Sequence, residues 1–535
     1  MPGFSRTKDD FALPVDSEHK ALSFPLWSIR GIHMLCFHLS WISVFISFFS
    51  TFAPAALLPV IRQDLDLTST DLGSAAIASV SGVISARIGT GALCDMIGPK
   101  FASGGIMLLT APAVFASSLV NTASGFIACR FLIGFSLATF VACQFWSSVM
   151  FNVKIVGNAN ATGAGWGNTG AGTSLLLMPF IFEGIGGRVE AFVAWRYAMW
   201  VPGFLHIISG GLILAAAQDM PDGSFCEMRK RGEIMKPQVL KAVWTATSNH
   251  RMWLLAWLYG YSFGVELLIE NILVSYFFDN FNLNLHNAGV LASVFGLLNV
   301  FSRTVGGLVS DKIARAFGMR GRLITFWVAQ TLVGVLAIFV GLASGSLAAS
   351  VALLGVFSFF VQAAEGACFG IVPFVSKRAL GVVIGFVGAG GSIGSAILHA
   401  LFFRSERFET DTAFVLMGLT VLVMSQPILL LHFPQWGGIL SAPNEGFSEE
   451  DYYLQEYSSD EIAQGDAHAS LIFAVESRAQ RGQKRVKEEE RIAAAVAAAT
   501  AAATGGCTTN AYRHGTKTLD FVPLESEVRK GDTLA

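Results

Sequence analysis

Charged residues are scarce in this chain of 535 residues. Only 14 % are Asp, Glu, Lys or Arg, against roughly 25 % in ordinary soluble domains, whereas 53 % are hydrophobic. So few charges cannot cover a water-exposed surface, which indicates a membrane protein. The formal net charge of -2 excludes nucleic-acid binding through a basic surface.

The sequence also lacks paired cysteines, clusters of metal ligands and groups of catalytic residues. The seven cysteines are scattered, without a CxxC or a zinc-like spacing, so we expect packing residues rather than disulfides or a metal site. Charges recur between Lys8 and Lys20, so the first thirty residues lack the apolar core of a cleavable signal. No nucleophile with its base and no cofactor loop stands in a credible setting, so we expect neither an enzyme nor a bound cofactor.

Long uncharged runs recur along most of the chain. A helix takes about 20 apolar residues to cross a hydrocarbon core about 30 Å thick. The runs predict an all-α membrane protein with twelve spanning helices, at about 31-61, 71-95, 101-120, 124-151, 157-184, 196-218, 252-278, 285-311, 321-342, 347-376, 380-403 and 412-434.

The distribution of Lys and Arg predicts the orientation. Loops on one side carry fourteen of these residues: Lys100, Lys154, Arg229, Lys230, Arg231, Lys236, Lys241, Arg251, Lys312, Arg315, Arg320, Arg322, Lys377 and Arg378. Loops on the other side carry five: Arg62, Arg188, Arg196, Arg404 and Arg407. Positive loops stay inside, so both termini are expected in the cytoplasm.

Five segments follow from this division. They are a cytoplasmic N-terminal segment at 1-30, a six-helix half at 31-218, a cytoplasmic linker at 219-251, a second six-helix half at 252-434, and a cytoplasmic, largely disordered tail at 435-535. Within the tail, the alanine-rich stretch at 485-504 is expected to be helical when ordered. The alternative for the tail is a docking site for a regulator.

A short motif appears once in each half. GALCDMIGPK at 91-100 matches GGLVSDK at 306-312, each at the predicted cytoplasmic end of the second helix of its half. Aligning Gly91 with Gly307 also aligns Asp95 with Asp311. Two six-helix halves with this GxLxD loop resemble the major facilitator superfamily, in which pseudo-symmetric halves rock about a central site. The resemblance implies that these four residues form gating loops.

The same alignment pairs Arg87 with Arg303. Each lies eight residues before the loop aspartate, so each guanidinium is expected about 12 Å inside the helix end. An arginine at that depth costs about 3 kcal/mol on insertion scales and therefore needs a partner. One reading is that two guanidinium forks clamp a small planar oxyanion. The other is that each arginine pairs with a carboxylate on another helix, such as Glu365, Glu266 or Glu270.

Two predicted helices are rich in glycine. AGWGNTGAG at 164-172 contains GxGxxG, but no strand precedes it and no acidic residue follows about 20 positions on, so a dinucleotide loop is excluded. Close helix packing explains part of this pattern, and GFVGAGGSIGS at 385-395 repeats it. The glycines concerned are Gly165, Gly167, Gly170, Gly388, Gly390, Gly391 and Gly394.

These two segments resemble the nitrate signatures of the nitrate/nitrite porter family within that superfamily. ATFVACQFWSSVMF at 138-151, YGYSFGVELLIENILVSYFFDNF at 259-281, AAEGACFGIVPFVSKRALGVVIGF at 363-386 and HFPQWGG at 432-438 are likewise similar to plant and algal high-affinity nitrate transporters. The resemblance covers roughly residues 30 to 455. It implies transport of nitrate, with nitrite as a further substrate, across the plasma membrane, and an accessory small membrane protein in many eukaryotic members.

The resemblance also implies a substrate site. The residues of that site would be Arg87, Arg303, the signature residue Asn168 and the tyrosine Tyr259, with Tyr261 as a second tyrosine candidate. A tyrosine hydroxyl can donate to a nitrate oxygen while its ring narrows the pocket. A core or interfacial tyrosine is the alternative.

Uptake of an anion needs an energy source. Moving one negative charge into a cell costs about 2.3 kcal/mol per 100 mV, so proton-driven uptake needs at least two protons per nitrate. Glu365 interrupts an uncharged helix and is the first candidate for proton coupling, with Glu266 and Glu270 as alternatives. The resemblance favours proton symport, whereas bacterial relatives exchange nitrate for nitrite. A nitrate sensor, or a porter for another small anion such as formate, are further alternatives.

Overall fold

A bundle of twelve long helices makes up most of this computed structural model, which describes residues 10–231, 239–403, 408–487 and 491. The predicted twelve-helix architecture is confirmed. The helices are α1 (Ile32–Ala56), α2 (Ser69–Ile97), α3 (Pro99–Leu119), α4 (Ala123–Met150), α5 (Val156–Gly186), α6 (Ala191–Ala216), α7 (His250–Asn280), α8 (Leu285–Phe317), α9 (Met319–Leu342), α10 (Leu347–Phe374), α11 (Leu380–Phe403) and α12 (Thr410–Leu430).

Helix α5 differs from the other eleven in composition. Those eleven are long and apolar enough to cross a membrane. With 31 residues α5 is also long enough, but its many glycines and its asparagines Asn158, Asn160 and Asn168 lower its mean hydropathy. Most of its first two-thirds is buried against other helices, where small side chains permit close contact.

Several of the twelve helices are interrupted. α4 consists of Ala123–Gly134, Phe135–Ala138 and Thr139–Met150, α6 of Ala191–Ala198 and Trp200–Ala216, α7 of His250–Tyr259 and Phe263–Asn280, and α8 of Leu285–Leu297, Leu298–Val300 and Ser302–Phe317. α3, α10 and α12 end in the short 3-10 turns Ser117–Leu119, Val372–Phe374 and Gln426–Leu430, and α11 ends in the π-helical turn His399–Phe403. The break in α7 follows Tyr259, and the break in α8 lies just before Arg303. Both side chains are buried, so this irregular backbone is surrounded by protein rather than by lipid.

Two helix pairs join the halves. α2 packs along α11, and α5 packs along α8. Glycines permit the closest approaches: a Cβ on Gly91 of α2 would lie 2.4 Å from the Gly381 oxygen of α11, and one on Gly172 of α5 would lie 2.5 Å from the Leu297 nitrogen of α8. Side chains larger than glycine would push the halves apart at these points.

The N-terminal segment and the linker between the halves pack at one end of the bundle, which we call the linker face. It comprises residues 10–30, 219–231 and 239–249 with the adjoining helix ends, and includes the short helices Phe225–Lys230 and Val239–Ser248. At the opposite end the short helix Leu58–Asp64 follows α1. On the linker face, Ala21 donates its backbone N–H to Met150, and Lys377 pairs with Glu18 at 3.4 Å.

The first fifty residues of the tail are ordered, contrary to the expectation of a largely disordered segment. A hairpin pairs His432–Phe433 with Gly437–Gly438 antiparallel, and α13 (Glu449–Leu454), α14 (Ser459–Ala463), α15 (His468–Ser477) and the 3-10 turn Arg478–Arg481 follow. Tyr453 is fully buried and donates to the Phe374 oxygen, while Arg378 pairs with Glu461 at 2.7 Å. The tyrosines of this acidic stretch therefore dock onto the chain's own linker face.

The remaining residues, Lys484–Ala535, form a separate unit. Positions 484–487 and 491 are helical. The helix predicted at 485-504 otherwise lies outside the described residues.

Candidate anion-binding site

Arg87 lies in the middle of α2 and its side chain is fully buried. Its Nη1 donates to the backbone oxygen of Gly388 at 2.6 Å and to the hydroxyl of Ser392 at 3.3 Å. Both acceptors belong to α11, so this arginine reaches from one half into the other. Within the described residues, Nε and Nη2 have no hydrogen-bond partner. Arg87 thus keeps donors available for an anion.

Arg303 occupies the equivalent place on α8 and is equally buried, but its surroundings differ. Its Nη2 donates to the hydroxyl of Tyr259 at 2.6 Å and contacts a carboxylate oxygen of Glu365, while Nη1 lies 3.9 Å from Glu266. Of the two readings, the second therefore describes Arg303, which has Glu365 and Glu266 as carboxylate neighbours, whereas Arg87 has no carboxylate contact among the described residues. Glu365 comes from α10, and sequence spacing cannot show which helix packs against another.

Two phenylalanine rings enclose both guanidinium groups. The Cζ of Arg87 lies 4.9 Å from the ring centre of Phe140 and 4.6 Å from that of Phe263, and the Cζ of Arg303 lies 5.6 Å from each. Each cation–π contact contributes on the order of 1 kcal/mol. Two cations that share the same rings repel each other, so an anion between them would be favoured. Sequence reasoning missed both rings, because a phenylalanine in an apolar run carries no signal of its own.

Asn168 orients a carboxylate rather than touching an arginine directly. Its Nδ2 donates to Glu266 Oε2 at 3.1 Å, and Asn299 donates to Glu266 Oε1. The two amides hold Glu266 beside Arg303. The Oδ1 atom of Asn168 is buried without a partner in the described part of the chain.

The two tyrosine candidates have different neighbours in the structure. Tyr259 accepts the hydrogen bond from Arg303 and stacks on Phe263 at 5.1 Å between ring centres, so it belongs to the site. Tyr261 packs instead on Trp257, at 5.4 Å between ring centres. No contact between Tyr261 and either buried arginine occurs among the described residues.

Three of the signature glycines border the site. A Cβ on Gly165 would lie 3.0 Å from the Arg303 Cβ, one on Gly388 would lie 3.3 Å from the Arg87 Cδ, and one on Gly391 would lie 2.7 Å from the Phe263 ring. These positions let both arginines and the ring fit against bare helix backbone.

The other four signature glycines serve helix packing. A Cβ on Gly167 would meet Val44 at 2.5 Å, and a Cβ on Gly170 would meet the Phe45 oxygen at 2.0 Å. Gly390 and Gly394 lie as closely against the backbone of α7, with hypothetical Cβ distances of 2.2 Å and 2.1 Å to Ala256 and Gly260 oxygens. Close helix packing therefore accounts for these four glycines, while the other three border the buried arginines and Phe263.

The loops predicted to act in gating connect the two halves at the linker face. Asp95 accepts the backbone N–H groups of Gly381 and Val382, both at 3.1 Å, at the start of α11. Asp311 accepts the N–H of Asn158 at 2.8 Å, at the start of α5, and pairs with Arg322 at 2.5 Å. Helix starts carry partial positive charge, which stabilises an aspartate there.

Both glycines of the gating loops lie at the same contacts. Gly91 abuts Gly381, and a Cβ on Gly307 would lie 2.5 Å from Ala161 and 2.7 Å from the Gly157 oxygen of α5. Neither position has room for a side chain in this conformation.

A cavity of about 320 Å³ lies at the opposite end of the bundle, and we call it the vestibule. Residues of α1, α2 and α4 line it from one half and residues of α7 and α11 from the other, including Ala55, Ser69, Arg130, Asn271, Asp279 and His399. Arg130 donates to Asn271 across the halves at 2.8 Å. The molecule is therefore closed at the linker face and hollow at the other.

Three glutamates surround Arg303, all of them fully buried. Glu365 contacts its Nη2 and Glu266 lies near its Nη1. Glu270, one turn further along α7, has no hydrogen-bond partner for either oxygen within the described residues. The arrangement therefore holds more carboxyl groups than Arg303 can pair.

The chain matches the Major Facilitator Superfamily family model over residues 40–399. It is 47 % identical to nitrate transporter 2.2 of Chlamydomonas reinhardtii, over 88 % of this chain and 93 % of that one. It is 48 % identical to high affinity nitrate transporter 2.5 of Arabidopsis thaliana, over 88 % and 94 %. A more distant match, 26 % identical over 71 % and 87 %, is the nitrate/nitrite transporter NrtP of a Picosynechococcus strain.

A solved structure supports the fold. The human organic anion transporter MFSD10 superposes with a TM-score of 0.52, covering 74 % of this chain and 100 % of that one. At 14 % identity this likeness concerns the fold alone.

Proposed function

The chain belongs to the major facilitator superfamily and, within it, to the family of the plant and algal high-affinity nitrate transporters; from this we propose that it carries nitrate across a membrane by alternating access, coupled to protons. The observation that carries the proposal is Arg87. Its guanidinium is buried at the interface of the halves, beside Arg303, with donors that no protein group uses in the described chain.

Nitrate fits the chemistry of this enclosure. It is planar, carries one negative charge and offers three acceptor oxygens, which suit the planar donor fork of a guanidinium. The rings of Phe140 and Phe263 lie against both guanidinium groups and provide flat walls. Nitrite has the same charge and plane with one oxygen fewer, and the NrtP relative is named for both anions.

The conformation supports alternating access. Asp95 and Asp311 each accept backbone N–H groups from the opposite half, and these contacts hold the linker face closed together with the close glycine packing. The vestibule, at the other end, is lined by both halves. Rocking of one half against the other would open the linker face and close the vestibule.

The Arg303–Glu365 pair provides a way to couple protons to nitrate. While Glu365 is ionised it competes with nitrate for the same guanidinium. Protonation of Glu365 would release Arg303 to bind the anion, so a proton and a nitrate would occupy the site together. At least two protons per nitrate are needed for net positive charge to enter.

Cellular placement belongs to the same proposal. We assign both termini and the linker face to the cytoplasm, from the excess of Lys and Arg in the loops there. The vestibule then faces outward in the plasma membrane, and a small accessory membrane protein is a candidate partner.

Uptake of isotope-labelled nitrate tests the function. The full chain is expressed in a host without nitrate transport, and accumulation is measured with and without an imposed inward pH gradient. We expect accumulation that the gradient increases severalfold, and competition by unlabelled nitrite. Binding without accumulation would identify a sensor, gradient-independent exchange against internal nitrite would identify an exchanger, and stronger competition by formate would identify another anion porter.

A further inference from the structure

Three buried glutamates lie around Arg303 and along the adjoining part of α7. Asn271 lines the vestibule, and its neighbour in the chain, Glu270, lies one helical turn from Glu266. Glu266 lies 3.9 Å from Arg303, which in turn contacts Glu365. The glutamates of α7 therefore lead from a residue next to the vestibule lining to Arg303.

Glu270 has the least polar surroundings of the three. Neither of its oxygens has a hydrogen-bond partner among the described residues, and its Oε1 lies against bare backbone, 3.1 Å from where a Gly296 Cβ would be. An ionised carboxylate buried in this way costs several kcal/mol. Glu270 therefore holds a proton in this conformation.

Its position also couples it to the movement of the halves. Gly296 of α8 touches Gly172 of α5, with a hypothetical Cβ distance of 2.6 Å to the Gly172 nitrogen. This contact joins the two halves beside the Glu270 carboxyl. Rocking of the halves would change how closely the carboxyl is enclosed.

The groups around Glu270 determine where its proton can go. Glu266 is on its own helix, Arg303 is on α8 and Glu365 is on α10, while α5 faces it with the amide Asn168. On the vestibule side the charged and titratable groups are Arg62, Arg130 on α4, Asp279 on α7 and His399 on α11. Glu266 receives two amide hydrogen bonds and lies near Arg303, so it is held ionised and is a vacant acceptor for the Glu270 proton. Arg303 opposes this transfer, and an anion bound at the Arg87 donors that stay free in the described chain would offset that positive charge and raise the proton affinity of Glu266.

We propose that Glu270 is the entry site for the protons that drive transport, and that it delivers them through Glu266 to Glu365. Rocking of the halves exposes Glu270 to vestibule water, and a proton from that water reprotonates it after each transfer. Each transfer breaks one carboxyl O–H bond and forms one on the next carboxylate. The last transfer neutralises Glu365 and frees Arg303 for nitrate. The inference rests on the proposed function, since it assigns a route to the protons of that symport.

The variant E270Q tests this route, because glutamine keeps the size of a neutral carboxyl but carries no exchangeable acid proton. Purified full-length protein is placed in liposomes. Uptake of labelled nitrate driven by an inward pH gradient is compared with nitrate counterflow at equal pH, which needs no net proton movement. We expect gradient-driven uptake and nitrate-evoked proton entry to fall at least tenfold, while counterflow stays within twofold. The control is E190Q, at an exposed residue before α6, which should leave both unchanged.

Two outcomes would overturn the proposal. One is an unchanged proton-driven uptake in E270Q. The other is an equal loss of counterflow, which would place Glu270 in the nitrate site instead. A wild-type protein without nitrate counterflow would refute the proposed function rather than the proton route.

A second measurement uses the unmodified chain. Dicyclohexylcarbodiimide reacts with protonated carboxyl groups in apolar surroundings, and we expect peptide mass spectrometry to find it on Glu270 together with loss of proton-driven uptake. Absence of label from Glu270 in active protein would also overturn the proposal.

Discussion

Asp95 caps a helix of the opposite half, because its carboxylate accepts the backbone N–H of Gly381 at 3.1 Å. Asp311 makes the equivalent contact in the opposite direction, because its carboxylate accepts the backbone N–H of Asn158 at 2.8 Å. Each half thus stabilises the start of a helix in the other, at the linker face. Opening this face requires both contacts to break.

Neutralising either aspartate should favour the open linker face. Asparagine would keep an acceptor oxygen, whereas replacing a capping residue by alanine costs about 1 kcal/mol, so D95A or D311A is expected to raise the open population about fivefold. The native Cys94, buried beside Asp95, reports the opening. Maleimide labelling of Cys94, measured by peptide mass spectrometry, should accelerate in both variants. Labelling at the wild-type rate would contradict a gating role for these contacts.

Gly91 should be essential for transport, whereas Gly89, two residues earlier on the same helix, should not. G91A places a Cβ 2.4 Å from the Gly381 oxygen, whereas at Gly89 nothing lies within 4 Å. G91A therefore hinders closure of the linker face and is expected to reduce nitrate uptake about tenfold or more at equal membrane abundance. G89A is the matched control and should retain uptake. Similar rates for the two variants would argue against close packing at this point.

Replacing either buried arginine by lysine should weaken nitrate binding. Lysine keeps the charge but loses the donor fork, and a hydrogen bond to a charged group contributes about 1.5–3 kcal/mol, so the KM for nitrate should rise roughly 10- to 150-fold in R87K and R303K. R62K is the control. Arg62 lies at the vestibule, is partly exposed, and makes a long contact of 3.5 Å with Asp279. An unaltered KM in R87K would refute the anion clamp.

Glu18 should anchor the N-terminal segment in a pH-dependent manner. Burial raises the pKa of its carboxyl, but Lys377 and Lys20 outweigh burial and lower this pKa to about 2, from the ordinary 4.5. Because the folded-state pKa is the lower one, the stabilisation is present above pH 4.5 and is lost as the pH falls toward 2. E18Q is expected to cost roughly 2 kcal/mol at pH 7, and its Tm difference from wild type should shrink by pH 3.

The control for this measurement is E445Q, at an exposed residue of the tail. It should leave the Tm within about 1 °C of wild type, since isolated surface changes alter stability little. A Tm difference for E18Q that stays constant between pH 7 and pH 3 would exclude the ionised pair as its cause.

Glu461 should hold the tail on the linker face. Its carboxylate pairs with Arg378 at 2.7 Å and with Lys241 at 2.6 Å. E461Q is expected to increase the opening of α13, α14 and α15 about tenfold, seen as faster backbone hydrogen exchange. The matched change E450Q removes a pair whose arginine, Arg478, is half exposed, and should alter exchange little. Equal exchange in E461Q and wild type would mean that other contacts hold the tail.

The sequence predicted the fold well because a membrane imposes simple rules. Long uncharged runs must be helices, and their number and the repeated GxLxD loop indicated two six-helix halves. The tail was harder, since its acidic, polar composition resembles that of a disordered segment. Tyr452 and Tyr453 instead find partners in the backbone oxygens of Val375 and Phe374.

The depth of the two arginines was predictable, but the sequence left open which of them meets a carboxylate. Depth along a helix follows from counting residues, so the alignment of the halves located Arg87 and Arg303 at equal depth. The structure then made them unequal, because Glu365 on α10 and Glu266 on α7 approach only Arg303.

The sequence by itself determined the class of molecule, the spanning helices, the two-half repeat and the two buried cations, since each depends on local composition and spacing. Tertiary structure alone decided which donors stay free, which aromatic rings enclose them, which glycines face the site and where the tail docks. Those properties depend on contacts between helices far apart in the chain, and helical periodicity determines which residues share a face without determining what that face meets.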